Sequence, residues 1–448
     1  MDDIEFRMAK WDFTPDIWER AAADPDTWCE AMGTVSMTSK RGIQLDIPFG
    51  QLLYSSYPST RVMQQRPLPE QADRLFGFTQ DGKHIVLEEV GVAGSMCHIP
   101  GGMHQTLQAN LILASRCAFD SGGNITRVDI GLKGLPDWDM RINMHGLAEP
   151  EFCEGALQGI SIKREKLGTT ETPVYENDEF VLLYRHDVIL SSETSEEKTL
   201  RRCCAFALIP KCSLTLRNIC SVAASLANFV TLGLGRYAEV DCIWLNIVDA
   251  ENPVQLIAPF QTSPCVNTSG TYYPFLGYRD IGDKLGLLLK NWFTAPERLR
   301  AGADFTASLI GRTWHLPADT RFQTAAQALE ALTKAEFGST HMSQEQRLTQ
   351  LCNTHGESFR WVTDQPEKFI RRHIATRNYF THIGDGEAKR QEKGVFKDRG
   401  LLMHTEAVML LCYSLVWEML GLDGEIARNS YTHICNRGKR LKQLRENA

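Results

Sequence analysis

The chain reads PEKFIRRHIATRNYFTH from Pro366 to His382. The apolar side chains of this stretch recur at the three- and four-residue spacing of an amphipathic helix: Phe369, Ile370, Ile374 and Phe380. Gly384 follows shortly after the stretch, and glycine is the residue that most often ends a helix. The stretch therefore predicts a helix that buries one face and ends close to His382.

Helical periodicity extends on both sides of this stretch. We predict helices, separated by short polar breaks, at residues 280–293, 296–310, 321–337, 343–355, 366–382 and 401–420. Ser343 and Gln346 have the spacing of a capping box, in which each side chain accepts a hydrogen bond from the backbone N–H of the other residue. Such a succession of helices is typical of a helical bundle.

Residues 30–210 have the pattern of β-structure instead. Short apolar runs alternate with turn signals such as Arg41-Gly42 and Asp81-Gly82. Residues 125–130 alternate with period two, as a half-buried strand does. A β-sandwich or a curved sheet fits this spacing best.

The two patterns divide the chain into three parts. We predict an α+β protein with a β-rich N-terminal region at residues 1–260, a linker at 261–278 and an all-α helical domain at 279–448. The linker follows from the many Ser, Thr, Pro and Gly residues in the segment 261–273. One further helix, at residues 214–232, is predicted within the N-terminal region.

Composition limits the functions that the chain can have. Its 448 residues carry a net charge of −7 and give a pI of about 6.0. A protein that coats nucleic acid non-specifically is usually basic, so any nucleic-acid contact here should be local. The 13 cysteines form no CxxC pair and show no repeating spacing, which indicates a reducing compartment.

No membrane segment and no cofactor motif stands out in the sequence. Met1–Phe6 is acidic and lacks the apolar core of a secretory signal, so we expect a cytoplasmic protein. The apolar run Ala407–Trp417 is too short to cross a bilayer and predicts a buried helix, so no membrane contact is expected. Cys97, His98 and His104 lack a fourth ligand at a familiar spacing, and we expect no metal. No P-loop, HExxH or GxSxG motif occurs, and we expect no cofactor.

Arg377 and His382 stand five residues apart at the end of the predicted helix, with Asn378 directly after the arginine. A permanent cation beside a group that titrates near neutral pH is the minimum needed to cleave RNA without a metal ion. Over five residues of continuous helix the two side chains would lie about 140° apart, so they share a site only if the helix ends near His382. The alternative is an arginine and a histidine that are merely exposed at a helix end.

The Arg-x4-His spacing occurs three times in the chain. The second copy, Arg399–His404, spans Gly400 at the predicted start of a helix, so its two ends should lie on different elements. The third copy, Arg428–His433, lies in a polar and basic tail beyond the last apolar helix. The Arg377 copy alone ends an amphipathic helix, and we therefore predict that Arg377 and His382 are the catalytic pair.

The sequence around this motif also resembles a known family. The matching residues are Arg321–Glu330, Thr376–His382 and the apolar helix Leu401–Leu420. Through them, residues 279–445 resemble the HEPN domain of ApeA-type proteins, a bacterial anti-phage defence group, and the first 250 or so residues resemble the β-rich N-terminal region of the same proteins more loosely. HEPN domains are helical bundles that carry an Arg-x4–6-His motif. The resemblance implies a ribonuclease toxin, often a dimer whose two motifs meet at one cleft.

The catalytic pair has expected roles in RNA cleavage. His382 would act as general base on the ribose 2′-hydroxyl, and Arg377 would stabilise the charge that develops on the phosphate. Asn378 could orient the histidine or the scissile group by hydrogen bonding. Glu330, on a neighbouring helix, could pair with a cation near the site.

Basic residues nearby are candidate contacts to the RNA backbone. They are Arg371, Arg372 and the tail at residues 437–442, and the alternative for each is a solvated helix face. One histidine cannot easily serve as both base and acid, so we expect a homodimer that supplies a second copy. The N-terminal region would sense a phage-derived trigger or hold the nuclease in check. The alternative function is a catalytically silent helical module that binds RNA, a nucleotide or a partner protein.

Overall fold

The structure is a computed structural model, and it describes most but not all of the chain. The described residues are 4–24, 29–49, 51–53, 69–98, 102–139, 148–153, 156–162, 168–192, 198–262, 274–311, 316–338, 341–381 and 395–423. The features of the sequence analysis that lie outside them include His382, Gly384, most of the predicted linker, the third Arg-x4-His copy at 428–433 and the basic tail at 437–442.

Strands dominate the described part of the first 257 residues. They are β1 Ile4–Asp12, β2 Ala31–Thr38, β3 Gly42–Phe49, β4 Gln71–Phe78, β5 His84–His98, β6 Gly102–Ala109, β7 Leu111–Ser115, β8 Ile125–Leu132, β9 Ala148–Cys153, β10 Ala156–Ile162, β11 Gly168–Glu176, β12 Phe180–Ser192, β13 Lys198–Pro210, β14 Val240–Ile247 and β15 Val254–Ile257. The hairpin predicted around Arg41-Gly42 is confirmed, because β2 and β3 form an antiparallel pair in which Thr38 lies opposite Gly42 beside the turn.

Helices dominate the described part of the chain after residue 274. The α-helices of the described residues, from both parts of the chain, are α1 Ile17–Ala23, α2 Leu135–Trp138, α3 Leu216–Leu234, α4 Tyr278–Ile281, α5 Leu285–Phe293, α6 Glu297–Gly311, α7 Ala318–Phe337, α8 Gln344–Thr354, α9 Gly356–Val362, α10 Pro366–Thr381 and α11 Asp398–Met419. The capping box at the start of α8 is confirmed: Ser343 Oγ accepts from the Gln346 backbone N–H at 3.2 Å, and Gln346 Oε1 accepts from the Ser343 backbone N–H at 2.7 Å. The α+β class is thus confirmed.

The large sheet is a closed ring with a curved extension. β5, β4, β1, β2, β3 and β6 pair in that order, and β6 pairs back to β5. The extension leaves the ring at β5 and runs through β7, β15, β14, β8, β13 and β12 to β11, with every pairing antiparallel. Of the two predicted architectures, the curved sheet is therefore the correct one, and it closes on itself at one end.

The long strand β5 makes this junction possible. Residues His84–Glu88 pair with β7, and residues Gly91–His98 pair with β6 on the same side of the strand. Between the two pairings Glu89 has a left-handed φ of 55°, an uncommon conformation for a residue with a side chain. The resulting break in the ladder lets one strand belong to both the ring and the extension.

Two large hydrophobic cores hold the described elements together, and a third, small cluster lies between α7 and the start of α11. The smaller of the two large cores fills the ring and includes Trp11, Val35 and Leu45, all at most 1% exposed. The larger lies between the sheet extension and the helices. Across it, Tyr175 of β11 stacks on Phe293 of α5 with ring centroids 4.9 Å apart. The sheet and the helices therefore share one core.

Trp138, at the end of α2, lies in the middle of the larger core. Its indole N–H donates to the backbone carbonyl of Leu276 at 2.7 Å. Gly233 of α3 makes this approach possible, because a Cβ at that position would lie 2.5 Å from the Trp138 indole nitrogen. The tryptophan thus ties α2 and α3 to the chain segment that leads into α4.

α11 is apolar and long enough, by length and composition alone, to cross a membrane. In the folded chain 78% of its most apolar window is buried inside the protein. Its neighbours include α6, α7 and α9, and its buried side chains run almost without interruption from Leu401 to Trp417. The burial is that of a core helix, which confirms the buried helix predicted from residues 407–417.

The predicted linker at residues 261–278 separates these two halves in sequence. Residues 263–273 of it lie outside the described residues. Its last residues belong to the large core, because Leu276 and Tyr278 are both buried there. The domain limits 1–260 and 279–448 remain a prediction.

Candidate active site

The candidate site lies at the C-terminal end of α10. Proline at the first helical position suits the start of this helix, since its missing N–H would have no partner there. The buried side chains of α10 recur at helical spacing, and they are Phe369, Ile370, His373 and Thr376. They pack toward α7 and α8, and Arg377 lies beside Glu330 in the second half of α7.

Arg377 is held by a carboxylate of α7. Its Nη2 donates to Glu330 Oε2 at 3.1 Å, and the Arg377 side chain stays 30% exposed. The other oxygen of Glu330 lies 2.7 Å from Lys334 Nζ. Burial by itself would raise the pKa of Glu330, but the hydrogen bonds and positive charges of Lys334 and Arg377 outweigh it and lower that pKa. Glu330 is therefore ionised at neutral pH and fixes the position of Arg377.

The other candidate residues of α10 have different surroundings. Asn378 is exposed, and its Oδ1 accepts from Arg377 Nη1 at 3.3 Å. Arg371 is exposed as well. The Arg372 guanidinium lies 3.8 Å from the centre of the Phe396 ring, and burial lowers its pKa. Of the two arginines predicted to contact RNA, Arg371 has its charge in solvent, whereas Arg372 stacks on an aromatic ring.

His382 directly follows the described end of α10, at Thr381. The distance between its imidazole and the Arg377 guanidinium lies outside the described residues. The Thr381 hydroxyl donates to the Arg377 backbone carbonyl at 2.8 Å, which is a common use of threonine in the last turn of a helix. Arg377, Asn378 and Glu330 are thus brought together, and His382 stays a predicted partner.

The second Arg-x4-His copy does not form a surface site. Arg399 is exposed at the start of α11, whereas His404 is 0% exposed. The His404 ring stacks on Phe396 with centroids 4.3 Å apart. A histidine enclosed in this way cannot reach a polynucleotide. The expectation that the two ends of this copy lie on different elements was wrong, since Arg399 and His404 both lie on α11, and it is the burial of His404 that excludes the copy.

A buried histidine pair lies beneath the site and was not predicted. His373 Nδ1 of α10 lies 3.2 Å from His404 Nε2 of α11, and both residues are 0% exposed. Burial, and secondly the charge of Arg377, lowers the pKa of His373 to about 4. The sequence did contain one signal that His373 is buried: it lies on the apolar face of the helix, three residues after Ile370 and four residues after Phe369.

The low pKa of His373 makes stability depend on pH. In the unfolded chain a histidine titrates near pH 6.5, so between that pH and about 4 the unfolded state binds a proton that the folded state does not. We expect the free energy of unfolding to fall by roughly 3 kcal/mol as the pH drops through this window. Urea titrations at several pH values measure it.

The matched variant is His373→Gln, which keeps a polar side chain of similar size but cannot be protonated in this range. His404 and Arg377 face the same position and are unchanged in the variant. The pH slope should become shallower in His373→Gln. An equal slope in both proteins would show that other groups cause the dependence.

A separate cleft of about 1020 Å³ opens on the β-rich half. Its lining includes Asp129 of β8, Arg185 and Asp187 of β12, and Trp244 of β14. Trp244 is 39% exposed while its neighbours along the strand point into the core, so the cleft lies on the sheet face that α3 does not cover. Because its residues come from several strands, no spacing in the sequence identifies this cleft.

Comparison with known protein families gives a match for the β-rich half of the chain. Residues 32–292, more than half of the chain, match the family described as ApeA N-terminal domain 1. This match indicates an anti-phage defence protein. The chain belongs to the ApeA N-terminal domain 1 family and is ApeA-like.

The other two comparisons gave no result: no curated protein matches the chain, and no solved structure matches it. The family match covers the half in which the sequence resemblance was loose, and it ends at residue 292, in α5. It does not reach α10, so the HEPN assignment of the helices stays a prediction.

Proposed function

We propose that the helical half is a HEPN-type endoribonuclease that acts in anti-phage defence and cleaves RNA without a metal ion. The observation that supports this most directly is the Arg377–Glu330 pair at the end of α10. The pair presents a fixed and partly exposed guanidinium five residues before His382 in the chain. A bidentate cation of this kind suits the non-bridging oxygens of a phosphodiester.

The proposed reaction is transesterification within the RNA strand. His382 takes the proton of the ribose 2′-hydroxyl, and the 2′-oxygen forms a bond to phosphorus. The bond from phosphorus to the 5′-oxygen breaks, and that oxygen takes a proton from a second, protonated imidazole. The products are a 2′,3′-cyclic phosphate and a free 5′-hydroxyl. Arg377 stabilises the additional negative charge on the phosphate in the transition state.

The need for two imidazoles supports a homodimer. One histidine serves as base, and its copy in a second chain serves as acid. RNA contact would be local, since the chain as a whole carries a charge of −7. Asn378, next to Arg377 in sequence, and Thr381, one turn after it, are exposed polar residues of α10 near the guanidinium. Arg371 is also exposed, one to two turns before Arg377. The phage-derived trigger expected from the sequence remains a prediction.

The proposal is tested first at Arg377. Replacing Arg377 by alanine should lower the rate of RNA cleavage by roughly 10²–10³-fold, since this is the usual loss when one group that stabilises a developing oxyanion is removed. The assay uses the full-length protein, total RNA and magnesium-free buffer, and the ends of the products are identified by enzymatic labelling. Cyclic phosphate ends are expected.

The matched control is Arg360→Ala, which removes an arginine that is 69% exposed and paired with Glu357 on α9. Cleavage should be unchanged in this variant. The proposal is wrong if the Arg377→Ala protein cleaves as fast as the wild type. RNA binding without any cleavage by the wild type would favour the alternative function, a silent RNA-binding module.

A further inference from the structure

Three side chains with metal-binding chemistry meet at the junction of the sheet and the helices. Asp139 directly follows α2, His186 lies on β12 and Cys204 lies on β13. Their nitrogen, sulfur and oxygen ligand atoms all lie within 4.8 Å of one another. All three residues are buried.

The strand register explains why two of these residues meet. His186 and Cys204 stand directly opposite each other in the antiparallel pair β12–β13. Opposite residues of such a pair point to the same face, with Cβ atoms about 4.5–5.5 Å apart. That face packs on the helices, and α2 lies against β13 there, so Asp139 approaches both side chains.

We propose that Asp139, His186 and Cys204 bind a zinc ion. A carboxylate, an imidazole and a thiolate are all common zinc ligands, and their distances to the metal imply ligand separations of about 3.3–3.8 Å in a tetrahedral site. The Cys204 thiol donates a hydrogen bond to Asp139 Oδ2 at 3.9 Å, and all the ligand atoms lie within 4.8 Å of one another. Zinc binding would therefore draw the three side chains together by up to about 1 Å. On binding, the thiol releases its proton to solvent and the sulfur forms a bond to zinc.

The set supplies three protein ligands, so a water molecule would take the fourth position of a tetrahedral site. The Tyr184 hydroxyl donates to Asp139 Oδ2 at 3.0 Å, so the carboxylate has a partner that orients it. The Tyr184 ring in turn stacks on Tyr278 of α4, with centroids 4.8 Å apart. An ion at this position would join α2 to the sheet beside the first helices of the C-terminal half.

The test measures metal in the intact protein. The full-length chain is loaded with zinc sulfate, passed through gel filtration and assayed for zinc by mass spectrometry. We expect about one zinc ion per wild-type chain, and less than a tenth of that in Cys204→Ser and His186→Gln. The control is Cys203→Ser, since Cys203 is exposed and points to the opposite face of the same strand. It should keep its zinc.

A second measurement does not depend on the variants. Loading the wild-type protein with cobalt(II) should give a thiolate-to-cobalt charge-transfer band in the near ultraviolet, because a cysteine sulfur binds the metal. The proposal is overturned if the wild-type protein holds no zinc and shows no such band. In that case the three side chains form only a buried hydrogen-bonded cluster. Loss of zinc in Cys203→Ser alone also overturns the proposal. RNA cleavage is not a readout in either measurement.

Discussion

His382→Ala should lower the rate of RNA cleavage by roughly 10²–10⁴-fold, which is the usual contribution of a general base or acid. The expectation rests on the proposed transesterification, in which this imidazole removes the 2′-hydroxyl proton. Arg377 would still bind the phosphate, so RNA affinity should change much less than the rate. Cleavage rates and RNA dissociation constants are measured separately, on the same full-length proteins.

Two histidine variants serve as controls. His341→Ala removes an exposed histidine outside the candidate site, and His433→Ala removes the histidine of the third Arg-x4-His copy. Both should keep the wild-type rate. A His382→Ala protein of normal activity, or loss of activity in His433→Ala instead, would assign the reaction to a different site.

A mixed dimer tests whether the two chains contribute residues to one active-site cleft. Wild-type and His382→Ala chains are co-expressed with different tags, and the dimer that carries both tags is purified. If one chain supplies the base and the other supplies the acid, this mixed dimer loses nearly all activity. Half of the wild-type rate would mean that each chain works alone.

Trp138→Ala should lower the free energy of unfolding by about 3–5 kcal/mol, the typical loss for a buried aromatic residue replaced by alanine. Trp138 is 0% exposed, and its ring meets Tyr184, Phe229 and Tyr278 edge-on with centroids 5.6–6.3 Å away. The substitution also removes the indole N–H that the Leu276 carbonyl accepts. Urea unfolding followed by circular dichroism measures the change.

The matched control is Trp244→Ala, which removes a tryptophan that is 39% exposed on the outer face of the sheet. This substitution should lower the free energy of unfolding by less than about 1 kcal/mol, because it removes little buried apolar surface. Equal losses in the two variants would contradict the central position of Trp138 in the shared core.

The sequence predicts the helices well because their apolar positions repeat with the helical period. The predicted helices at residues 401–420 and 366–382 correspond to α11 and α10, with ends that agree within a few residues. The short α9, Gly356–Val362, was missed, since it has only two turns and begins directly after α8. Periodicity is a weak signal over so few residues.

The closure of the sheet could not be predicted in the same way. Alternation along a strand shows which side chains are buried, but it does not show which strand pairs with which. Here β5 changes partners at Glu89, which has a left-handed φ of 55°. A left-handed glutamate has no reliable sequence signal.

The residues of the candidate site also differ in whether the sequence alone could identify them. Arg377 and His382 could be chosen because they are close in sequence, and Glu330 because it lies on a neighbouring predicted helix. The pair His373–His404 and the proposed zinc ligands come from distant segments. They become neighbours only through helix packing and strand register. No local spacing encodes contacts of that kind.

The core shared by the sheet and the helices has a consequence for how the protein is made. A ribosome releases β8 and β12–β14 before it has synthesised α5–α11, so one wall of that core exists first. The contact between Arg377 and Glu330 joins α10 to α7, which both follow the sheet in the chain. A nascent chain therefore builds the sheet wall of the shared core before this charged pair can form.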